Sequence, residues 1–131
     1  MKMNYNNDLI NDFLKDGLIK KCPSDLKAVT NLIRRAYIDL KTAERNMEKD
    51  NECAFSYAYN GMLHCGLALM FVEEFRPDIK DKHLTIVRFA GSILGEEFKR
   101  IINDYDFMRR KRNMFIYEPD MPCSLQEAKN A

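Results

Sequence analysis

Hydrophobic residues recur along this chain at alternating steps of three and four, the spacing of one face of an α-helix. The longest such series follows Pro23, where Ser24 is placed to accept a hydrogen bond from a free backbone N–H and Asp25 to meet the positive end of the helix dipole. Its apolar members are Leu26, Val29, Ile33, Ala36, Leu40, Ala43 and Met47. The other face carries Arg34, Arg35, Asp39, Lys41, Glu44 and Arg45, which we expect to face water.

Three more helices follow from the same spacing. The first, over about residues 52–75, has its apolar positions at Phe55, Ala58, Met62, Cys65, Leu69 and Val72, with further apolar side chains beside them, so we expect it to be the central helix. Pro77 and Asp78 are expected to end it. The second covers about 82–94 and closes at Gly95. The third begins near Glu96, and its apolar positions are Phe98, Ile101, Tyr105, Met108, Arg112 and Phe115, where Arg112 is the exception.

The two ends of the chain carry weaker signals. A short helix is predicted over 8–16, with Gly17 as its stop, and prolines at 119 and 122 make the chain leave the helical path. Ser124 and Glu127 form a capping-box pattern that predicts the start of a last helix. No alternating run suggests a strand. The prediction is an all-α, antiparallel up-down bundle of four main helices in a single domain, 1–131, with a short N-terminal helix in 1–20 and an extended segment in 118–131.

Composition narrows the function classes. Lysine plus arginine total 21 and aspartate plus glutamate 20, so any anion binding must be local. The longest apolar stretch, 54–72, is interrupted by Asn60 and His64, and it is interpreted as a buried helix and not a membrane span. The asparagine-rich start, 1–11, lacks the features of a secretory signal. Four cysteines without zinc-type spacing are expected to be reduced thiols in the cytoplasm, and no metal site or cofactor is predicted.

Arg112 is the chemically informative position. Its neighbours Arg109, Arg110 and Lys111 are typical of solvated cations that oppose the negative end of a helix dipole. Arg112 instead falls on the apolar seam, where an unpaired charge is costly. It therefore needs an acid, a ligand or a subunit boundary, and the acids near it in sequence are Asp104, Asp106 and Glu118.

Two stretches resemble the HEPN family of small helical domains. The first is Arg112-Asn113-Met114-Phe115-Ile116-Tyr117 on the last long helix. The second, on the predicted central helix, is Ala58-Tyr59-Asn60-Gly61-Met62-Leu63-His64-Cys65-Gly66-Leu67-Ala68-Leu69. Lys82-His83 and Ser124-Leu125-Gln126-Glu127-Ala128 also fit, so the resemblance runs from about residue 26 to 128.

The resemblance implies a homodimer and three kinds of activity. Many HEPN domains are metal-independent ribonucleases whose motif is an arginine, a polar residue and a histidine a few residues later. Others are toxins paired with a nucleotidyltransferase antitoxin, and others are silent binding modules. Arg112 and Asn113 match the first two motif positions, and Tyr117 stands in place of the histidine. A phenol titrates near about 10 and is a poor general base at neutral pH, so ribonuclease activity of the ordinary kind is not expected.

The candidate residues follow from this comparison. Arg112, Asn113 and Tyr117 are the candidate catalytic residues, and Arg109, Arg112, His64 and Tyr59 are the candidates for binding RNA or a nucleotide phosphate, in a cleft shared by two subunits. His64 is interpreted as a core or edge histidine satisfied by a neighbour, with catalysis as the alternative, and His83 as a surface or capping residue. Tyr117 is also a candidate for nucleotidylation by a nucleotidyltransferase partner. The competing hypotheses are a silent nucleotide- or protein-binding module and a plain scaffold in which Arg112 is paired internally.

Overall fold

The computed structural model describes residues 7–118, 120 and 122–131. Residues 1–6, the larger part of the asparagine-rich start, lie outside the described residues, as do Pro119 and Met121 of the predicted proline turn. In the described part, six helices dominate, and the predicted all-α class is confirmed at this level. The elements are α1 Asn7–Lys15, β1 Ile19–Lys21, α2 Leu26–Asn46, α3 Asn51–Val72, β2 Phe75–Pro77, α4 Lys82–Leu94, α5 Lys99–Tyr117 and α6 Leu125–Asn130.

The expectation of no strands was wrong. β1 and β2 pair antiparallel, with Lys20 opposite Arg76 at the centre of the register. The predicted end of the third helix at Pro77 was also too late, because Glu74 adopts a left-handed conformation (φ 66°) and the chain turns there into β2. Three-residue strands are too short to show an alternating pattern, so the spacing of apolar residues could not reveal them.

The helix ends show which capping signals were correct. Asp25, and not Ser24, caps α2, since its carboxylate accepts hydrogen bonds from the backbone N–H groups of residues 27 and 28. The capping box at Ser124 and Glu127 is confirmed, with both reciprocal hydrogen bonds present. α4 has the predicted bounds and closes at Gly95 (φ 77°). α5 begins at Lys99, after a single 3₁₀ turn over Glu96–Phe98.

α3 is the central helix, as predicted. It packs against α2 on one side and against α4, α5, α6 and β2 on the others. Buried side chains form two clusters, one of α3 with α2, α4, α5 and α6, the other of α3 with α1, the strands and α4. No helix within the described residues is both long enough and apolar enough to cross a membrane.

Fewer apolar residues of α2 are buried than its hydrophobic pattern predicts. Only Ala36, Asp39 and Ala43 are buried in it, whereas Leu26 is 74% exposed and Leu40 47%. The prediction that Asp39 faces water was wrong, since it is 1% exposed. The reason is that α2 packs chiefly against α3, so only a narrow line of α2 is covered. At the N-terminal end of the last predicted seam, Phe98 in the 3₁₀ turn and Ile101 on α5 are likewise exposed. Tyr105, Met108 and Phe115 further along α5 are buried.

Two glycines of α3 set how closely its neighbours approach, and they should respond in opposite ways to alanine. A Cβ at Gly66 would lie 2.5 Å from Ile86 Cγ2 in the core, whereas a Cβ at Gly61 would have its nearest contact at 3.5 Å, an ordinary distance. Gly66→Ala should lower the free energy of unfolding by about 2 kcal/mol, because overpacking outweighs the gain in helix propensity. Gly61→Ala should raise it by about 0.5–1 kcal/mol.

Urea denaturation of both variants measures this difference. Equal effects of the two substitutions would contradict the close packing of α3 on α4 at Gly66.

Candidate anion site

Tyr59 is the residue around which the candidate site is built. It lies in the middle of α3, is 0% exposed, and reaches towards the N-terminal end of α4 and one face of α5. Its hydroxyl is 2.9 Å from His83 Nδ1, and its ring meets that of Tyr105 edge to face with centroids 5.7 Å apart. Burial raises the pKa of Tyr59 to about 12, so the phenol keeps its proton at neutral pH.

Arg112 packs on the face of Tyr59. Its guanidinium carbon is 5.5 Å from the ring centroid, within the range of a cation–π interaction, which contributes roughly 0.5–2 kcal/mol depending on exposure. The side chain is half-buried, and Nε is buried without a hydrogen-bond partner among the described residues. Within that part of the chain Arg112 also forms no ion pair: Asp106, one of the acids that sequence proximity suggested, pairs with Arg109 and Arg110 instead. The scaffold hypothesis, which requires Arg112 to be paired internally, has no support in these contacts.

Arg109 lies one turn before Arg112 on α5. Its Nε and one terminal nitrogen are each 3.1 Å from Asp106 Oδ1, so much of its charge is already engaged. Asp106 and Arg109 both lie close enough to the Tyr59 hydroxyl to act on its pKa, the carboxylate raising it and the guanidinium lowering it. The side of α5 that faces Tyr59 therefore carries one paired and one unpaired arginine.

The interpretation of His83 as a surface or capping residue was wrong. His83 is half-buried, it bonds to Tyr59, and it does not cap α4, whose preceding residue Asp81 makes no capping hydrogen bond. Burial lowers the pKa of His83, and the positive charges of Arg112, Lys82 and Arg109 lower it further. Arg112 and His83 both contact Tyr59, so this guanidinium and the imidazole share one neighbour.

The hydrogen bond to Tyr59 also selects a tautomer. His83 Nδ1 is the one hydrogen-bond partner of the buried, protonated Tyr59 hydroxyl among the described residues. We therefore assign the hydroxyl as the donor and Nδ1 as the acceptor, which leaves the proton of the neutral imidazole on Nε2. His83 therefore presents an N–H donor on the side away from Tyr59.

His64 belongs to a different place. Its Nδ1 is 2.6 Å from Oδ2 of the buried Asp39 on α2, and Arg35 Nε lies 3.3 Å from the other oxygen of the same carboxylate. This triplet, Arg35, Asp39 and His64, joins α2 to α3. Since residues five apart on a helix point about 140° apart, His64 and Tyr59 diverge, and the structure does not bring His64 to Arg112.

The remaining candidates lie at the C-terminal end of α5. Asn113 is exposed, and Tyr117, the last residue of the helix, is 80% exposed. The structure thus brings Tyr59, Arg109 and Arg112 together and adds His83, whereas Asn113 and Tyr117 are exposed and make no contact with this group among the described residues. Among the described residues, no three histidine, cysteine, aspartate or glutamate side chains meet as a metal site would require.

Comparisons of the chain with protein-family models, with curated proteins and with solved structures found no match. The chemistry of the site therefore rests on its own residues.

The environment of His83 should make the protein less stable in mild acid. The pKa of His83 is lowered on folding, so as the pH falls from 7 the unfolded chain takes up a proton near pH 6.5 and the folded chain does so only at a lower pH. The free energy of unfolding should therefore decrease as the pH falls from 7 towards 5. Replacement His83→Gln, which keeps an acceptor for Tyr59 and cannot titrate, should make this decrease smaller.

Urea denaturation of the wild-type protein and of His83→Gln at several pH values provides the measurement. An identical pH dependence in the two proteins would contradict the placement of His83 against the arginines.

Proposed function

We propose that this chain is a HEPN-like helical domain that binds phosphate groups of RNA or of a nucleotide at Arg112. The observation that carries the proposal is a half-buried guanidinium whose Nε has no acceptor and which has no carboxylate partner among the described residues. Burying such a charge is costly unless an anion accompanies it. A phosphate fits because it offers several strong acceptors and a compensating charge, and an arginine can bind two of its oxygens at once.

The neighbours of Arg112 support a phosphate as the anion. Arg109 adds positive charge, and in the tautomer described above His83 offers its Nε2–H as a further donor. Tyr59 holds both the guanidinium and the imidazole, so the donors are positioned before a ligand arrives. A preorganised group of donors loses less entropy on binding.

The same tautomer argues for binding without cleavage. A histidine that begins the 2′-hydroxyl attack needs a free nitrogen lone pair, and in His83 the only one, on Nδ1, is occupied by the Tyr59 hydroxyl. Tyr117 stands where the motif has a histidine, and a phenol is a weak base at neutral pH. The second candidate function is a metal-independent ribonuclease with His83 as the base, and its support is the position of His83 beside Arg112.

A homodimer and a nucleotidyltransferase antitoxin belong to the same proposal. Two copies of the chain would place two Arg112 sites in one basic cleft, with Asn113 at its rim. The 80% exposure of Tyr117 supports access by a modifying enzyme. A silent module that binds a protein instead of RNA is the alternative, in which a carboxylate of that protein would pair with Arg112.

RNA binding should depend on Arg112. A fluorescent single-stranded RNA of mixed sequence, titrated at low salt and followed by anisotropy, should bind the wild-type protein, and Arg112→Ala should weaken binding about tenfold or more, the effect of losing charged hydrogen bonds. Arg112→Lys should bind RNA more tightly than Arg112→Ala but less tightly than the wild-type protein, because lysine lacks the planar guanidinium that can bind two phosphate oxygens. The matched control is Arg34→Ala on the exposed face of α2, which should leave the affinity nearly unchanged.

Equal losses in Arg34→Ala and Arg112→Ala would contradict a site at Arg112. The same RNA incubated in the presence of EDTA should remain intact. Cleavage that disappears in both Arg112→Ala and His83→Gln would favour the ribonuclease candidate.

Tyr117 should be the residue that a nucleotidyltransferase partner modifies. Co-expression with a small nucleotidyltransferase of the kind that this proposal requires, followed by mass spectrometry, should show a nucleotidyl adduct on Tyr117 and none in Tyr117→Phe. Tyr37, which is 67% exposed on α2, provides the control, because Tyr37→Phe should leave the adduct in place. Unmodified Tyr117 in the presence of the active partner would rule out this part of the proposal.

A further inference from the structure

A buried carboxylate lies behind His64 where α2 packs on α3, outside the anion site. His64 Nδ1 is 2.6 Å from Oδ2 of Asp39, and Asp39 is 1% exposed. The two helices approach closely at this level, because a Cβ on Gly61 would lie 3.5 Å from the backbone oxygen of Ala36 and 3.8 Å from Asp39 Cβ. This close approach fixes the carboxylate behind the imidazole.

The contact with Asp39 decides which nitrogen of His64 carries the proton. A carboxylate can only accept a hydrogen bond, so Nδ1 donates to it, and the neutral ring has its lone pair on Nε2. Nε2 has no partner among the described residues and is not buried, since 27% of the side chain is exposed. In His83 the lone pair is on Nδ1 and is occupied by the Tyr59 hydroxyl. His64 is therefore the histidine that presents a lone pair to solvent.

The charge of Asp39 favours His64 as a nucleophile. Oδ1 of Asp39 is buried, and although Arg35 Nε lies 3.3 Å from it in an ion pair, no described residue donates a hydrogen bond to it. Such a carboxylate is stabilised when positive charge develops on a ring in contact with it. When Nε2 bonds to an electrophile, the imidazole becomes positively charged while Nδ1 keeps its hydrogen bond to Asp39.

Arg35 indicates what kind of electrophile fits. Its side chain is 53% exposed, and its terminal nitrogens form no ion pair with any described residue. A guanidinium with free terminal nitrogens binds phosphate oxygens, so an anionic phosphoryl group suits this surface. Arg35, Asp39 and His64 include no acid that could protonate a leaving group. The leaving group must therefore depart as a stable anion, as a carboxylate does, since its conjugate acid titrates near about 4.

From this geometry we propose that His64 is a phosphoryl-accepting residue whose donor is an acyl phosphate. The Nε2 lone pair attacks phosphorus, the N–P bond forms, and the P–O bond to the acyl group breaks. The carboxylate leaves with the electron pair of that bond. Nδ1 keeps its proton, and Asp39 stabilises the positive ring as a positioning residue while Arg35 binds the phosphoryl oxygens. The proposal does not depend on RNA binding at Arg112.

Acetyl phosphate is the probe for this activity. Incubation with the full chain in mildly alkaline solution should place a phosphate on His64, located by mass spectrometry of peptides kept at alkaline pH. Phosphorus NMR should show a P–N bond, which survives alkali and is cleaved by acid. His64→Gln should abolish the label, and His83→Gln should leave it in place.

The role of Arg35 is tested with a second, uncharged reagent. Diethyl pyrocarbonate attacks the same nitrogen and needs no anion site. Arg35→Ala should slow phosphorylation by acetyl phosphate about tenfold, the effect of losing a charged hydrogen bond, and should leave the reaction with diethyl pyrocarbonate nearly unchanged. The matched control is Arg34→Ala, the neighbouring exposed arginine, which should change neither rate.

The role of Asp39 is tested through the tautomer of His64. Nitrogen NMR of the wild-type protein should show the neutral ring protonated on Nδ1. In Asp39→Asn the amide can donate to Nδ1, so the proton should move to Nε2 and both reagents should react at least about tenfold more slowly. Circular dichroism and urea denaturation check that the variant is folded, and the wild-type tautomer provides a test that does not require the variant.

Four outcomes would overturn the proposal. They are no phosphohistidine in the wild-type protein, as much phosphate on His83 as on His64, equal losses of phosphorylation in Arg34→Ala and Arg35→Ala, and a neutral wild-type His64 protonated on Nε2. The last result would leave the Arg35, Asp39 and His64 contacts as a link between α2 and α3 alone.

Discussion

The burial of Tyr59 is the constraint on which the site depends. The residue lies in the middle of the central helix, its ring supports Arg112 from α5, and its hydroxyl bonds to His83 from α4. Three helices are thus joined by one side chain. Because the phenol is desolvated and remains protonated, it fixes both the position of the imidazole and its tautomer. The guanidinium and the imidazole therefore contact the same ring, and the nearby acid, Asp106, pairs with Arg109 and Arg110.

The two histidines show how position decides chemistry. His64 and His83 both make a hydrogen bond through Nδ1, but the partner of His64 is a buried carboxylate and that of His83 is a phenol. The first bond ties α2 to α3. The second leaves His83 close to Arg109 and Arg112, where added positive charge is unfavourable and an anion is favourable.

Sequence reasoning was most successful where a single local rule decides the outcome. The bounds of α4, the capping box at Ser124 and the place of Arg112 on the inner side of α5 all follow from spacing and capping alone. It failed where the environment of a residue depends on a contact with a residue far away in sequence. The sequence pattern places Asp39 on the water-facing side of its helix, and only the fold brings His64, 25 residues away, against it. In the same way, His83 was interpreted as a surface residue, and only the fold brings Tyr59 to it. Spacing also identifies which face of α2 is apolar, but not that most of this face remains uncovered.

The central claim is that Arg112 is held without a carboxylate partner so that an anion can bind it. The most direct measurement is the NMR resonance of the Arg112 Nε–H group, assigned by its loss in Arg112→Lys and followed while a short single-stranded RNA is added. A shift of this resonance that saturates is expected, as a phosphate binds the guanidinium of which Nε is part. A resonance that does not move while RNA binds elsewhere, or one already shifted in the free protein, would contradict it.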